Sequence, residues 1–344
     1  MSTSFSHDAA DAPRAAGQPS VPGAAVPTTA GFAQATERRG APRVPAVPDA
    51  FIASYGRDNP SGRAWLARLP ALAGEMLERW SLRVSGPAAH GMASLVLPVT
   101  RADGGLAVLK LQEVRAETAG SASGLRAWDG HGVVRLLADD PDTATLLLER
   151  LDASRPLSTV ADDTEAVGVL AALLARTTAV PAPPDVRRLA DIATAMLADV
   201  PKAAEGLRDA ADRRLLRACA AAVADLVGEA GDRLLHWDLH YDNVLAGERE
   251  PWLAIDPEPL AGDPGFELLP ALDNRWEAVV AGGVTRTVLR RFDLLTEALD
   301  LDRRRATGWT LGRVLQNSLW DVEDGKTTLD PVQVTIATTL LTHR

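Results

Sequence analysis

The hydrophobic pattern of this chain changes from strand period to helical period about half-way along, and that change limits the folds it can form. Short apolar runs of strand length lie at 94–100, 105–112 and 145–151. The first two are separated by Asp103-Gly104-Gly105, a triplet typical of a tight hairpin turn. A helix-like piece at 116–128 precedes the third run. We therefore predict that residues 80–151 form a small antiparallel sheet with one inserted helix.

From about residue 160 onward the apolar residues recur mainly at helical spacing. Together with a helical pattern before the sheet, this predicts an α+β fold of two lobes with a cleft between them. The predicted lobes are a sheet-rich N-lobe at 47–151 and a mainly helical C-lobe at 152–344. Residues 1–46 are rich in Ala, Pro, Ser, Gly and Thr without either period, so we predict a disordered tail there.

The composition excludes several classes of protein. A formal net charge of −10 argues against a general affinity for nucleic acid and is compatible with a cationic partner. No apolar run approaches the roughly 20 residues of a membrane-spanning helix, and no secretory signal is visible. Cys219 is the only cysteine, which excludes an internal disulfide bond and a cysteine-based metal site. A cytoplasmic location is the simplest expectation.

The segment "LLHWDLHYDNVL", at 234–245, places two His, two Asp and one Asn between apolar flanks. It is either a solvated turn or a catalytic loop held between buried elements. Asp238 and Asn243 lie within it, and a strand-like run that follows ends at Asp256, thirteen residues after Asn243. The full set favours the catalytic loop, because all three oxygen-bearing side chains can then meet at one edge.

These three side chains fit phosphoryl transfer. Mg²⁺ prefers hard oxygen ligands and keeps waters and phosphates, so Asn243 and Asp256 suffice to hold it. Asp238 is then free to orient and deprotonate a hydroxyl group. A zinc site built on His236 and His240 is disfavoured, because no third His, Cys or well-spaced carboxylate completes the set.

The first lobe supplies candidates for binding the nucleotide. Lys110 ends a strand, where its ammonium can reach phosphates, and Glu117 can pair with it. The turn before the first strand, which ends at Ser94, is a candidate phosphate-covering loop. The backbone from Glu149 to Leu151 can present a donor and an acceptor to adenine.

Eight segments carry a resemblance to a known family, the first of which is "GRAWLARLPAL" at 62–72. The others are "ASLVLPV", "LKLQ", "GLRAWDGHGVVRLL", "LLLERLD", "LHWDLHYDNVLAGEREPWLAIDPEPLAGDPGFELLPALD", "RFDLLTEALDLDR" and "GWTLGRVLQNSLWDVEDG". Over about 48–330 the chain resembles aminoglycoside phosphotransferases, which share the protein-kinase fold, and is most similar to the streptomycin 6-phosphotransferase branch that also includes hydroxyurea kinases. The resemblance implies ATP and Mg²⁺ as cofactors and phosphorylation of streptomycin at its 6-hydroxyl group, which inactivates the antibiotic.

The resemblance also assigns roles to individual residues. Asp238 takes the place of the catalytic aspartate, Asn243 and Asp256 match the magnesium ligands, and Lys110 matches the phosphate-binding lysine. Glu117 is the expected partner of Lys110, with Glu113 close enough to leave that choice open. The segment 262–267 matches a part that supports the loop.

Streptomycin carries two guanidinium groups, which need carboxylates and flat partners. The residues that we expect to supply them are Glu258, Asp273, Trp320, Asp321 and Asp324. An ordinary solvated helix face is the alternative for the last three. The alternatives for function are a kinase of another small hydroxylated compound, such as hydroxyurea, and a catalytically dead kinase-like binding module.

Overall fold

The computed structural model describes residues 44–57 and 59–343. The predicted disordered tail lies outside these residues, apart from its last three positions. In chain order, the α-helices of the described part are α1 (Asp49–Tyr55), α2 (Pro60–Arg79), α3 (Ala116–Ala119), α4 (Ser121–Trp128), α5 (Asp163–Thr177), α6 (Leu189–Gly206), α7 (Ala210–Ala224), α8 (Leu269–Asp273), α9 (Trp276–Ala281), α10 (Val284–Ala298), α11 (Arg303–Glu323) and α12 (Pro331–Thr342).

The strands of the described part are short. They are β1 (Arg83–Val84), β2 (Ala89–His90), β3 (Ser94–Thr100), β4 (Leu106–Gln112), β5 (Leu136–Asp140), β6 (Thr145–Glu149), β7 (Asp152–Pro156), β8 (Arg187–Arg188), β9 (Arg233–Leu235), β10 (Val244–Ala246), β11 (Trp252–Ala254) and β12 (Leu260–Gly262). The predicted change from strands to helices along the chain is confirmed.

The first six strands form one antiparallel sheet in the order β1-β3-β4-β6-β5, with β2 paired to β3. The predicted hairpin of β3 and β4 is confirmed, and its pairing runs from Ser94–Gln112 to Thr100–Leu106. Gly104 takes the left-handed backbone that this turn requires, with φ 85°. The sequence analysis did not predict β5, because its half-polar residues "LLADD" lack a strand pattern.

Side chains alternate between the two faces of this sheet, and the alternation places Lys110. Leu109 and Leu111 are fully buried on the face that packs against Phe51 of α1 and Met76 of α2. Lys110 lies between these two leucines and therefore projects from the other face, where its side chain is 9% exposed. That face is the one on which the helical region lies.

The inserted helical segment is divided into α3 and α4 at Gly120, where we predicted a single helix. Leu125 and Trp128 of α4 belong to the same hydrophobic cluster as the C-terminal helices. The indole N–H of Trp128 also donates a hydrogen bond to the carbonyl of Thr177 at 3.0 Å. The insert thereby joins the sheet to the helical region.

The helical region surrounds α11, which is buried along most of its length. Two small sheets accompany these helices, one in the order β11-β10-β7 and one in the order β8-β12-β9. They hold the segment that contains Asp238 between β9 and β10, and they place Asp256 just after β11. The candidate site is therefore carried by the ends of paired strands.

Candidate active site

The loop that contains Asp238 is anchored through His236. This side chain is fully buried, and its Nε2–H donates a hydrogen bond to the carbonyl of Ile255 at 2.9 Å. Burial lowers the pKa of His236 to about 4, although the charge of Asp238 opposes this, so the ring is neutral at pH 7. The N–H of Glu258 donates to the carbonyl of His236 at 3.1 Å. Both bonds fix the loop to the segment that carries Asp256.

Glu267 supports the loop from below. Trp237 has a left-handed backbone with φ 72°, a conformation that costs a non-glycine residue roughly 1–2 kcal/mol. Its N–H donates to Oε1 of Glu267 at 2.6 Å, and Glu267 is fully buried. Burial raises the pKa of Glu267 to about 7, against the effect of this N–H. The contact fixes the backbone immediately before Asp238.

Asp238 presents its carboxylate in a half-exposed position, with 47% of the side chain accessible. Its Oδ2 lies 3.6 Å from Nε2 of His240 and 3.4 Å from Nδ2 of Asn243, and its Oδ1 lies 4.0 Å from Nη2 of Arg313. Burial would raise the pKa of Asp238, but the hydrogen bond and charge of His240 and the charge of Arg313 outweigh it and lower the pKa. Asp238 is therefore ionised at neutral pH and able to orient a hydroxyl group.

Asn243 and Asp256 lie next to each other at the edge that the sequence predicted. Nδ2 of Asn243 donates to the carbonyl of Asp238 at 2.9 Å, which leaves its amide oxygen available. The N–H of Ile255 donates to the carbonyl of Asn243 at 2.8 Å and joins the two segments. These hard oxygen donors fit Mg²⁺, which would take its other ligands from water and phosphates. Within the described ranges, no group of three or more His, Cys, Asp or Glu side chains could hold a metal ion.

Lys110 and the turn before β3 meet Asp256 from the sheet side. The ammonium of Lys110 contacts the Asp256 carboxylate, and its charge lowers the pKa of Asp256, although burial alone would raise it. A Cβ atom on Gly91 would lie 3.2 Å from Oγ of Ser94 and 3.8 Å from Oδ2 of Asp256. The structure therefore brings Ser94, Lys110 and Asp256 together.

The predicted pairing of Lys110 with a glutamate of the insert is wrong in this structure. Oε1 of Glu117 accepts a hydrogen bond from Nη1 of Arg187 at 3.3 Å. Glu113 accepts one from the hydroxyl of Tyr55 at 2.5 Å. The physical reason is the division of the insert, because Glu117 lies on the four-residue α3 and the longer α4 carries no acidic residue.

The stretch expected to face adenine begins at the last residue of β6, Glu149. The N–H of Glu149 donates to the carbonyl of Arg135 at 3.0 Å, and its carboxylate accepts from Nη2 of Arg249 at 2.7 Å. The Glu149 side chain is thus held within the protein, and only main-chain groups of the stretch remain to meet a base. Leu151 is partly buried between β6 and β7. The assignment of this stretch to adenine stays a prediction.

Glu258 and Asp273 both lie close enough to Asp238 to feel its charge. Burial raises the pKa of Glu258, against the charge of Arg187, whose Nη2 lies 3.7 Å from Oε2 of Glu258. Burial also raises the pKa of Asp273, to about 7, although the charge of His240 lowers it. Both carboxyl groups are close enough to the catalytic loop to meet a cationic ligand there.

The three residues expected at the end of α11 differ in their surroundings. Trp320 is 47% exposed, and its ring stacks on Trp237, so the structure brings it beside Asp238. Asp321 forms an ion pair with Lys326 at 2.6 Å. Asp324 is exposed at the C-terminal end of the helix, and its carboxylate has no ion pair within the described residues. Of these three residues, Trp320 is the one whose ring stacks on the loop.

Two arginines belong to the site although the sequence analysis assigned them no role. The guanidinium of Arg187 lies 4.2 Å from the ring centroid of Trp237, and that of Arg313 lies 5.3 Å from it. The sequence contains an indication of the role of Arg313, because this residue falls on the polar face of α11 with Trp320. Arg187 had none, because β8 has only two residues and no pattern.

Comparison with known proteins agrees with this geometry. Residues 79–325 match the family model described as aminoglycoside/hydroxyurea antibiotic resistance kinase. The chain belongs to this family. The predicted enzyme class, a phosphotransferase, is therefore confirmed, and as a kinase it uses ATP.

Relatives of the chain include two named phosphotransferases. A streptomycin 6-kinase from Streptomyces glaucescens is 63% identical over 299 residues, which cover 86% of this chain and 97% of that one. A hydroxyurea phosphotransferase from Kitasatospora aureofaciens is 59% identical over 283 residues, which cover 82% of this chain and 81% of that one. Both similarities extend well beyond the catalytic loop.

A solved structure confirms the predicted kinase-like fold. An aminoglycoside phosphotransferase, in a ternary complex with ADP and hygromycin B, matches with a TM-score of 0.52 at 14% identity, covering 78% of this chain and 97% of that one. None of the described helices has both the length and the hydropathy that crossing a membrane requires.

Proposed function

We propose that this kinase transfers the γ-phosphoryl group of ATP to the 6-hydroxyl group of streptomycin and so confers resistance to the antibiotic. The observation that carries the proposal is the 63% identity with a streptomycin 6-kinase over 97% of that protein. The grouping of Asp238, Asn243, Asp256 and Lys110 at one place supports it, since a dead kinase-like module has no need of all four.

The reaction follows from the side chains described above. The ionised carboxylate of Asp238 orients the acceptor hydroxyl group and takes its proton as the oxygen attacks the γ-phosphorus, while the bond from that phosphorus to the bridging β-phosphate oxygen breaks and ADP leaves. The ammonium of Lys110 binds the phosphates. Asn243 and Asp256 would hold Mg²⁺, which supplies positive charge to the transferring phosphoryl group when it is bound. Because the reaction consumes ATP, which cells hold in the cytoplasm, we place the enzyme there.

Recognition of streptomycin is assigned to the exposed face of Trp320 and to the carboxylates of Glu258, Asp273, Asp321 and Asp324. The protein itself contains an example of the chemistry required. The guanidinium of Arg187 stacks on Trp237 at 4.2 Å and lies between Glu117 and Glu258. A guanidinium group of the substrate can use flat rings and carboxylates in the same way, whereas the amines of kanamycin lack the planar fork.

The decisive experiment compares three acceptors. Purified protein with ATP and Mg²⁺ is given streptomycin, hydroxyurea or kanamycin, and each product is examined by mass spectrometry for the gain of one phosphate. We expect streptomycin to be phosphorylated, with little or no kanamycin turnover, and NMR to place the phosphate on the 6-hydroxyl group. The Michaelis constant for streptomycin should rise with salt as charge pairing is screened.

Other outcomes would contradict the proposal in distinct ways. Turnover of hydroxyurea alone would show that hydroxyurea, and not streptomycin, is the substrate. Efficient turnover of kanamycin would show that guanidinium recognition is not required. ATP binding without turnover of any acceptor would favour the binding module.

A further inference from the structure

Arg313 is a buried cation that no role assigned above accounts for. It lies on α11 and is 5% exposed. Its Nη1 donates to Oε1 of Gln316 at 3.1 Å, and its Nε has no hydrogen-bond partner within the described residues. Burying a cation with its donors only partly satisfied is costly, so an arginine at this position needs a compensating interaction.

The surroundings of Arg313 hold its guanidinium group in one place. The rings of Trp237, Phe266 and Trp320 lie 5.3, 5.7 and 5.9 Å from it. Burial lowers the pKa of Arg313 to about 10, against the charge of Asp238, so the group stays positive at neutral pH. The flat, positively charged guanidinium group of Arg313 therefore lies beside these three rings and next to the catalytic loop.

The two oxygens of the Asp238 carboxylate have different neighbours. Oδ2 faces the imidazole of His240 and the amide of Asn243. Oδ1 faces Nη2 of Arg313 at 4.0 Å, which is the one ion pair that it makes within the described residues. This distance is longer than a hydrogen bond, but contacts in active sites often shorten when the substrate binds.

We propose that Arg313 is a positioning residue of the phosphotransfer reaction, whose guanidinium holds the Asp238 carboxylate in the orientation that receives the acceptor hydroxyl group. The inference rests on the proposed role of Asp238 but not on which acceptor is phosphorylated. Without Arg313, the carboxylate is restrained only from the Oδ2 side and can rotate about its side-chain bonds. A misplacement of about 1 Å in such a group can cost about 10²-fold in rate.

The test is chemical rescue of Arg313→Ala. We expect this variant to lose about 10²-fold in kcat, while the Michaelis constant for ATP stays within about twofold, because Arg313 is not among the residues assigned to the nucleotide. Added guanidinium ion at about 50 mM, far below the molar concentrations that unfold proteins, should restore at least about tenfold of the loss. Sodium chloride at the same concentration should restore none of the lost kcat, and the kcat of Asp238→Ala should not respond to either salt.

Two further variants separate positioning from stability. Arg313→Lys keeps the charge but neither the flat shape nor the fork, so we expect it to fold and to lose about tenfold in kcat. Leu340→Ala truncates a buried side chain of α12, a helix that carries no residue of the site. This variant should be less stable than the wild type but should keep the same kcat per folded molecule. Circular dichroism gives the folded fraction for each variant.

The outcomes are distinguishable. A kcat near the wild-type value in Arg313→Ala or Arg313→Lys would overturn the inference, as would a lowered kcat that guanidinium leaves unchanged. If the wild type phosphorylates hydroxyurea and not streptomycin, the proposed substrate fails, and the rescue measured with hydroxyurea still decides the role of Arg313. A wild type that phosphorylates neither acceptor would overturn both proposals.

Discussion

The indole rings of Trp237 and Trp320 stack with their centroids 6.4 Å apart and their planes 6° from parallel. Trp237 lies in the catalytic loop directly before Asp238, whereas Trp320 lies in the last turns of α11. A pair of this kind contributes about 0.5–1.5 kcal/mol beyond its buried area. The stack therefore fixes the exposed face of Trp320 relative to the proposed base, and it makes α11 one wall of the site.

Trp320→Ala should raise the Michaelis constant for streptomycin about tenfold and lower kcat much less, because stacking contributes to binding and not to the transferring phosphoryl group. Trp320→Phe keeps an aromatic ring, so its Michaelis constant should lie between those of the wild type and Trp320→Ala. Asp324→Asn should raise the constant less, about twofold, since this carboxylate is exposed and screened. Steady-state kinetics at fixed ATP measure all three. A constant unmoved by Trp320→Ala would place the antibiotic elsewhere.

Asp238→Ala should lower kcat by roughly 10²–10⁴-fold, the usual contribution of a positioned general base. Nucleotide affinity should change little, because the contacts of Asp256 and Lys110 remain. Folding should survive, since His236 and Glu267 hold the loop through other bonds. Turnover is measured by phosphate transfer and nucleotide affinity by calorimetry. Near-normal turnover in the purified variant would remove Asp238 from this role.

Glu267→Gln should change how stability depends on pH. In the unfolded chain, Glu267 ionises near pH 4.5, whereas burial keeps it protonated in the folded protein up to about pH 7. The unfolded state therefore gains an advantage as the pH rises through this window, and the wild type loses up to about 3 kcal/mol that the variant does not lose. The stability of the variant minus that of the wild type should rise accordingly and level off above the window.

Urea unfolding of both proteins at about pH 5 and about pH 8 measures this difference, and the subtraction cancels all other titrating groups. Glutamine can still accept the N–H of Trp237, so the loop should keep its support. A difference that is flat with pH would mean that Glu267 is ionised in the folded protein across the whole range.

The local parts of this fold were predictable because each has a local cause. The turn at 103–105 needs a left-handed glycine, and that requirement is visible as Asp-Gly-Gly in the sequence. Asp238 and Asn243 lie close together in the sequence, and Asp256 follows the next strand but one. The three residues come together in the fold because β10 and β11 are a short antiparallel pair. The chemistry of the site could therefore be predicted without knowing the tertiary structure.

The contacts between distant elements could not be predicted in the same way. The helical period identifies a polar face on α11, but it does not say whether that face meets solvent or other side chains. In the structure, Arg313 and Gln316 on this face are buried, whereas Trp320 and Asp324 near its C-terminal end are exposed. The prediction that Lys110 pairs with Glu117 was wrong for the same reason. This pairing depends on where the divided insert places Glu117 in space.

The last prediction separates the metal ligand from the base. Asp256 has a left-handed backbone with φ 59°, which Asn tolerates better than Ala, so Asp256→Asn is the sharper variant. It removes a charged oxygen donor and the carboxylate that Lys110 contacts. We expect turnover and Mg²⁺-dependent ATP affinity to fall together, the affinity by at least about tenfold, since even indirect supports of metal ligands contribute that much. Titration of ATP at several Mg²⁺ concentrations measures this, with Asp238→Ala as the matched control. Nucleotide titrations that are the same for the two variants would show that Asp238 and Asp256 do not divide the work as proposed.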